Sequence, residues 1–194
     1  NNDNQLLDVY DEQLVFYGLG IIEIRKKVLR LVNEVMAGLF PYITDIDESF
    51  SVEYSESWPV DKGSDTVRSF FKSKREQDIL QKSTTTGPHR DKYKFLVRSM
   101  EYSKYASTGQ KRIMALLLRI SQALCLNMIK GKLPILLFDD VILELDPGKR
   151  IKIMEKMPLY EQAFFAFLPG EPFEAYQKKD TMVYLVDNGR FKRS

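Results

Sequence analysis

Ser107-Thr108-Gly109-Gln110-Lys111-Arg112, and further on Leu136-Leu137-Phe138-Asp139-Asp140-Val141 followed by Glu144-Leu145-Asp146, decide how this chain is read. In the first stretch Ser107 and Thr108 are natural N-caps, and Gly109 permits close backbone approach. Gln110 then opens an apolar-periodic run to Lys130, ended by Gly131. A helix start of this kind points free N–H groups and the positive end of the helix dipole at an anion. The second stretch is a short apolar strand, Leu133 to Phe138, of the type buried on both faces, and it ends in two carboxylates. The C-terminal ends of such strands are where α/β sheets bind ligands. Asp139 suits a magnesium ion held through water, and Asp140 suits orienting or deprotonating a water molecule. Taken singly, each stretch also reads as an ordinary cap or strand end. Their order and spacing favour the joint reading.

Working outward, Leu6 to Leu39 reads as one long helix, or two joined near Gly18 and Gly20, with Gly38 and Pro41 as stop signals. Phe50 to Ser55 alternates as a half-buried strand. Ser64 or Asp65 is expected to cap a helix running to Lys82. Thr84 to Arg90 is a turn around Gly87-Pro88, and Tyr93 to Arg98 is a strand. Pro147 begins a helix that ends before Pro158. Gln162 to Leu168 and Thr181 to Asp187 are strands, and Asn188-Gly189 turns the chain into a last short one. Strand and helix alternate after Thr84, so the fold class is α/β with a parallel core in the second part and a mainly helical first part. Phe164, Phe165, Phe167, Tyr184 and Phe191 are assigned to the sheet core.

The composition is that of an ordinary globular protein, 44% hydrophobic and 29% charged, and a net charge of +2 is too small to argue nucleic-acid binding by itself. The distribution is more informative. Pro41 to Asp65 is acid-rich, whereas Lys82, Arg90, Lys92, Lys94, Arg98, Lys104, Lys111 and Arg112 form a basic stretch suited to phosphates. Arg25, Lys26, Lys27 and Arg30 are weaker candidates for DNA contact, since such a cluster is more often a solvated helix face. Cys125 is the one cysteine, which fits a reducing, cytosolic setting. No run of about 18 apolar residues marks a membrane span, and no signal peptide is visible. The first residue is Asn1 rather than Met, so the natural N-terminus is expected to lie upstream.

These motifs together resemble the RecF family, within the ABC-type, SMC-like ATPase heads. Thr86-Gly87-Pro88-His89-Arg90-Asp91 is similar to the family's Gly-Pro-His-Arg/Lys-Asp stretch, and Ser107 to Arg112 to its signature motif. Leu136 to Asp146 is similar to its Walker B and D-loop run, and Tyr10-Asp11-Glu12-Gln13-Leu14 with Tyr17-Gly18 to its helical arm. The resemblance implies a partial ABC-type (P-loop NTPase) lobe with a mixed sheet. Residues 1–60 would form the helical arm, a remainder of helical lobe II, and residues 61–194 the C-terminal part of lobe I. The Gly-rich Walker A loop ending in Lys-Ser or Lys-Thr occurs nowhere in the chain.

The resemblance further implies that Ser107, Thr108, Gly109 and Gln110 meet ATP held by a partner subunit. Asp139 would serve Mg2+ through water, Asp140 would be the catalytic carboxylate, and Asp146 would lie near the opposite nucleotide. The family closes as an ATP-bound homodimer on gapped or junction DNA. It works with RecO and RecR and indirectly with RecA, in the bacterial cytoplasm at the nucleoid and not on a membrane. Without Walker A this chain alone is expected to bind ATP poorly, to hydrolyse none, and to associate through an uncovered apolar strand. Departures are Thr108 for the commoner Gln, Leu143 for Ser or Ala, and no histidine after Gln162 to Leu168. His89, the single histidine, is read as structural or nucleotide-adjacent. Two alternatives remain: another SMC-like ATPase head, or a non-catalytic DNA- or protein-interaction module in which Asp139 and Asp140 are structural.

Overall fold

The computed structural model describes residues 2–139, 145–171 and 173–193. Its first element is a single helix of 43 residues, α1 (Asn2–Thr44), which runs through Gly18, Gly20, Gly38 and Pro41. Neither stop signal acts. Pro41 sits in the last turn, where its missing N–H forfeits only one intrahelical bond. Burial of Val32, Met36, Leu39, Phe40 and Ile43 outweighs the roughly 1 kcal/mol that each interior glycine costs.

Strand β1 (Phe50–Ser55) buries Phe50 and Val52 on the face that meets α1. The Asn33 side chain of α1 takes the place of a neighbouring strand for Val52. Asn33 Nδ2 donates to the Val52 carbonyl at 3.1 Å, and Val52 N–H donates to Asn33 Oδ1 at 2.7 Å. On its other edge β1 pairs antiparallel with β2 (Lys92–Val97), which pairs in turn with the two-residue β3 (Met100–Glu101). Between them lie α2 (Ser64–Ser73) and α3 (Arg75–Gln81). The expected single helix is therefore broken at Lys74, and Gly63 rather than Ser64 or Asp65 stands at the cap, with no side-chain cap bond.

Helix α4 (Thr108–Lys130) ends at Gly131, which adopts φ 62 as a C-cap. By length and composition α4 could cross a bilayer, contrary to the sequence expectation. Its buried residues Ile113, Met114, Leu117, Ile120 and Cys125, however, join α1, β1 and Ile153 in the main core. That core binds segments on both sides of position 60 into one packing unit. A second, smaller core gathers Val15, Ile22, Trp58, Val67 and Phe71 where α1 meets α2.

Downstream, β4 (Ile135–Asp139) and β5 (Gln162–Ala166) form a parallel pair flanking α5 (Pro147–Glu155), as the alternation of elements predicts. The expectation that β4 is buried on both faces is not met: Ile135 is 60% and Leu137 76% exposed. Among the described residues β4 has one partner strand, so only its Leu136 and Phe138 face is partly covered. A terminal hairpin, β6 (Tyr184–Asp187) and β7 (Arg190–Arg193), turns at Asn188-Gly189 with both residues at positive φ. Phe164, Tyr184 and Phe191 are exposed instead of lying in the core. Phe165 and Phe167 do pack, in an aromatic cluster with Phe138, Phe173 and Tyr176.

Candidate functional site

Ser107 is the N-cap of α4 and forms a capping box with Gln110. Gln110 N–H donates to Ser107 Oγ at 3.2 Å, and Ser107 N–H donates to Gln110 Oε1 at 2.8 Å. The box satisfies two backbone donors and leaves the N–H groups of Thr108 and Gly109 without a partner among the described residues. Two uncovered donors at the positive end of a 23-residue helix are suited to an oxyanion.

Asp146 is the N-cap of α5. It accepts from Lys149 N–H at 3.0 Å and from Lys149 Nζ at 2.8 Å. These two bonds, the side-chain one foremost, hold its carboxyl below the usual carboxylate range. The two caps are 39 positions apart in sequence, yet Ser107, Gly109, Gln110, Asp146 and Lys149 line one cleft of about 730 Å³. Its other wall is Leu136 to Phe138 of β4 together with apolar residues of α4. Asp139 is exposed at the C-terminal end of β4, next to the wall residue Phe138. Asp140, the candidate catalytic carboxylate, lies outside the described residues, as do Val141 to Glu144.

No three His, Cys, Asp or Glu side chains converge among the described residues. Asp139 offers one carboxylate beside the cleft, and a magnesium ion keeps several waters and binds substrate phosphates. The α4 cap fits a phosphate, having two N–H groups with no partner among the described residues and no acid in its first turn.

The α1 bases are differently placed. The Arg25 guanidinium donates to the Pro88 carbonyl, to Asp91 Oδ2 at 3.2 Å and to Tyr54 Oη at 3.5 Å. Asp91 is fully buried and also accepts from Ser57 N–H at 2.9 Å and from the Tyr54 hydroxyl. Burial pushes Tyr54 up to about 12, the Arg25 contact opposing and the Asp91 carboxylate adding. Arg25 is consequently a structural tie between α1 and the Gly87-Pro88 turn. Lys26 pairs with Glu56, and Lys27 with Glu23 at 2.7 Å, while Arg30 is exposed. His89 bonds the Thr84 carbonyl at 3.0 Å and the Thr84 hydroxyl at 3.1 Å, as a structural reading of it requires.

Sequence reasoning missed Trp58, 4% exposed, whose ring closes the turn by packing on Gly18 and Gly87. Its only signal was its position beside Pro59 in a polar loop.

No family model matches the chain. It is 38% identical to the DNA replication and repair protein RecF of Treponema pallidum, over 185 residues that cover 95% of this chain and 52% of that protein. The RecF of Clostridium botulinum strain 657 is 32% identical, with 100% of this chain and 53% of that protein covered. The chain's relatives are RecF proteins. It spans about half the length of the curated relatives it matches. The structure of the recombination mediator protein RecF with ATP, of the RecFOR pathway, superposes with a TM-score of 0.77 at 26% identity, over 98% of this chain and 50% of that one. A second RecF structure, with ATPrS, gives the same score and identity over 97% and 50%. The mixed helix-and-sheet fold is therefore RecF-like, an ABC ATPase-like architecture matched over half of the relative, as the motifs led one to expect.

Proposed function

We propose that this chain is the C-terminal half of a RecF-like DNA replication and repair protein, supplying the signature and D-loop side of an ATP-dependent clamp. The observation that carries the reading is the convergence of the two helix caps, at Ser107 and Asp146, on one cleft walled by β4. In this reading Thr108 and Gly109 N–H groups, with Ser107 and Gln110, receive the terminal phosphate of ATP bound to a partner subunit. Asp139 holds the waters of Mg2+, Asp140 is the catalytic carboxylate, and Asp146 meets the opposite nucleotide across a homodimer. Residues 1–60 are the helical arm and residues 61–194 the lobe that carries the site, the two sharing the main core.

The parent binds gapped or junction DNA in the cytoplasm, at the nucleoid. It acts with RecO and RecR to favour RecA loading, and its turnover serves as a switch. The solved relative's ATP and its place in the RecFOR pathway support this assignment. The remaining half of the parent supplies the phosphate-binding loop, so the 194-residue chain alone hydrolyses no ATP.

The test is ATP turnover by the full-length parent, with and without gapped duplex, beside Asp140→Asn. Turnover stimulated by DNA and abolished by that change is expected. Turnover that the change leaves intact overturns the catalytic assignment and favours a non-catalytic DNA- or protein-interaction module. A further check is the isolated chain: steady hydrolysis by it would overturn the need for a second half.

A further inference from the structure

We infer that the loop from Lys82 to Lys92 is a preformed site for the phosphodiester backbone of nucleic acid, distinct from the α1 bases and from the ATP cleft. The inference rests on the DNA-binding part of the reading above and gives it a location.

The loop is held from below at nearly every residue. Thr85 donates to Asp78 Oδ1 through its N–H at 2.8 Å and its hydroxyl at 2.6 Å. Trp58 Nε1 donates to Thr86 Oγ1 at 3.2 Å. Gly87 N–H donates to Ser57 Oγ at 2.7 Å, and that hydroxyl donates to the Gly87 carbonyl at 2.9 Å. The buried Asp91 carboxylate, satisfied by Ser57, Tyr54 and Arg25, anchors the exit. The one acid within the segment is thereby removed from the surface.

Exposed on the segment are Ser83 and four bases, Lys82, His89, Arg90 and Lys92. Arg90 leans on the loop through Nε and Nη2, each 3.3 Å from the Thr84 carbonyl, with Nη2 also 3.3 Å from Ser83 Oγ. Its Nη1 has no partner among the described residues. Lys82 adjoins Ser83, and Lys92 stands across the sheet from the neutral Ser55, whereas Lys94 faces Glu53. Lys82, Arg90 and Lys92 form no ion pair among the described residues, in contrast to Arg25, Lys26 and Lys27. The open Nη1 side of Arg90, the exposed Lys82 and Lys92 and the exposed Ser83 are groups that receive phosphate oxygens, and a locked loop loses little entropy on binding them.

The probe is a fluorescein-labelled DNA duplex titrated with the 194-residue chain, read by anisotropy across a salt series. Lys82→Ala/Arg90→Ala/Lys92→Ala removes three phosphate contacts and is expected to make the log–log salt slope about 2.7 shallower. Between about 50 and about 200 mM salt the unaltered chain should then lose about 40-fold more affinity than the triple variant. Lys82→Gln/Lys92→Gln leaves every loop hydrogen bond in place and should make the slope about 1.8 shallower, so that misfolding is not mistaken for lost contacts. Lys130→Ala/Lys132→Ala, at the C-terminal end of α4, should bind like the unaltered chain.

Equal slopes for all four proteins would overturn the loop site while leaving DNA binding itself intact. Failure of the unaltered chain to bind duplex at low salt would overturn the loop site, whereas the DNA part of the parent reading stands or falls with DNA-stimulated turnover of the full-length parent. Displacement of the duplex by ATP at matched ionic strength would reassign the loop to free nucleotide.

Discussion

Gly18→Ala and Gly20→Ala should have opposite effects on stability, although they are two positions apart in one helix. Helix propensity alone predicts that either change stabilises α1 by about 1 kcal/mol. Nothing lies within 4 Å of a Cβ built on Gly20, so that gain should be realised there. A Cβ on Gly18 would sit 2.4 and 2.5 Å from Trp58 Cζ3 and Cη2, against the roughly 3.5–4.0 Å of a normal carbon contact. The indole must move by more than about 1 Å, and it has nowhere to go. It is 4% exposed, tied at Nε1 to Thr86, packed edge-on against Phe71, and already close to Gly87.

Overpacking of this kind costs about 1–3 kcal/mol, and the pinned ring puts Gly18 at the upper end. The net expectation is a loss of about 2 kcal/mol for Gly18→Ala and a gain of about 1 for Gly20→Ala, a spread of about 3. Urea unfolding followed by far-ultraviolet circular dichroism reads both, and equal slopes would confirm a common transition. Adding Trp58→Phe to Gly18→Ala should restore part of the loss by shortening the ring. If Gly18→Ala unfolds at the same urea concentration as Gly20→Ala, or a higher one, the wedge does not exist and the reasoning fails.

Removing Asn33 with Asn33→Ala strands the Val52 N–H and carbonyl at the edge of β1 and should cost about 2 kcal/mol, again by urea midpoint. Asn33→Asp, which keeps one acceptor and loses the donor, should fall between. Tyr54 is raised in the folded state above its ordinary value of 10, to about 12, so its neutral form is the one that folding favours. That contribution is complete below pH 10 and is lost as pH rises from 10 to about 12. Tyr54→Phe should flatten the fall in stability over that window, and an unchanged alkaline profile would show that the tyrosine is solvated.

Local chemistry was legible where a segment satisfies itself. The N-cap at Ser107, the stop at Gly131 and the Asn188-Gly189 turn each depend on a few neighbouring residues, and each is found where expected. Phe50 to Ser55 was legible for the same reason, since alternation records a one-sided strand. Gly38 and Pro41 misled because the burial that carries α1 past them comes from α4 and β1, remote in sequence. The tie of Arg25 to Asp91 was not legible because the two are 66 positions apart, and a cluster of bases on a helix says nothing about which one a distant carboxylate will claim. β4 was misjudged differently: its apolar run describes a strand flanked on both sides, and among the described residues only β5 stands beside it. In the cleft the two caps could be proposed separately, but their meeting depends on how α4 and β4 pack.

A helix of 43 residues is about 64 Å long at 1.5 Å per residue. In its N-terminal half, at Val15 and Ile22, α1 is gripped by Trp58, Val67 and Phe71. At its C-terminal end, the Tyr42 hydroxyl bonds Glu155 and Asp45 pairs with Lys152, both on α5, the helix that Asp146 caps. It is therefore a beam held along its length, by Trp58, by Arg25 on Asp91, by Asn33 on Val52 and by α5, so that the Gly87-Pro88 turn and the helix capped by Asp146 are fastened to one and the same rigid part.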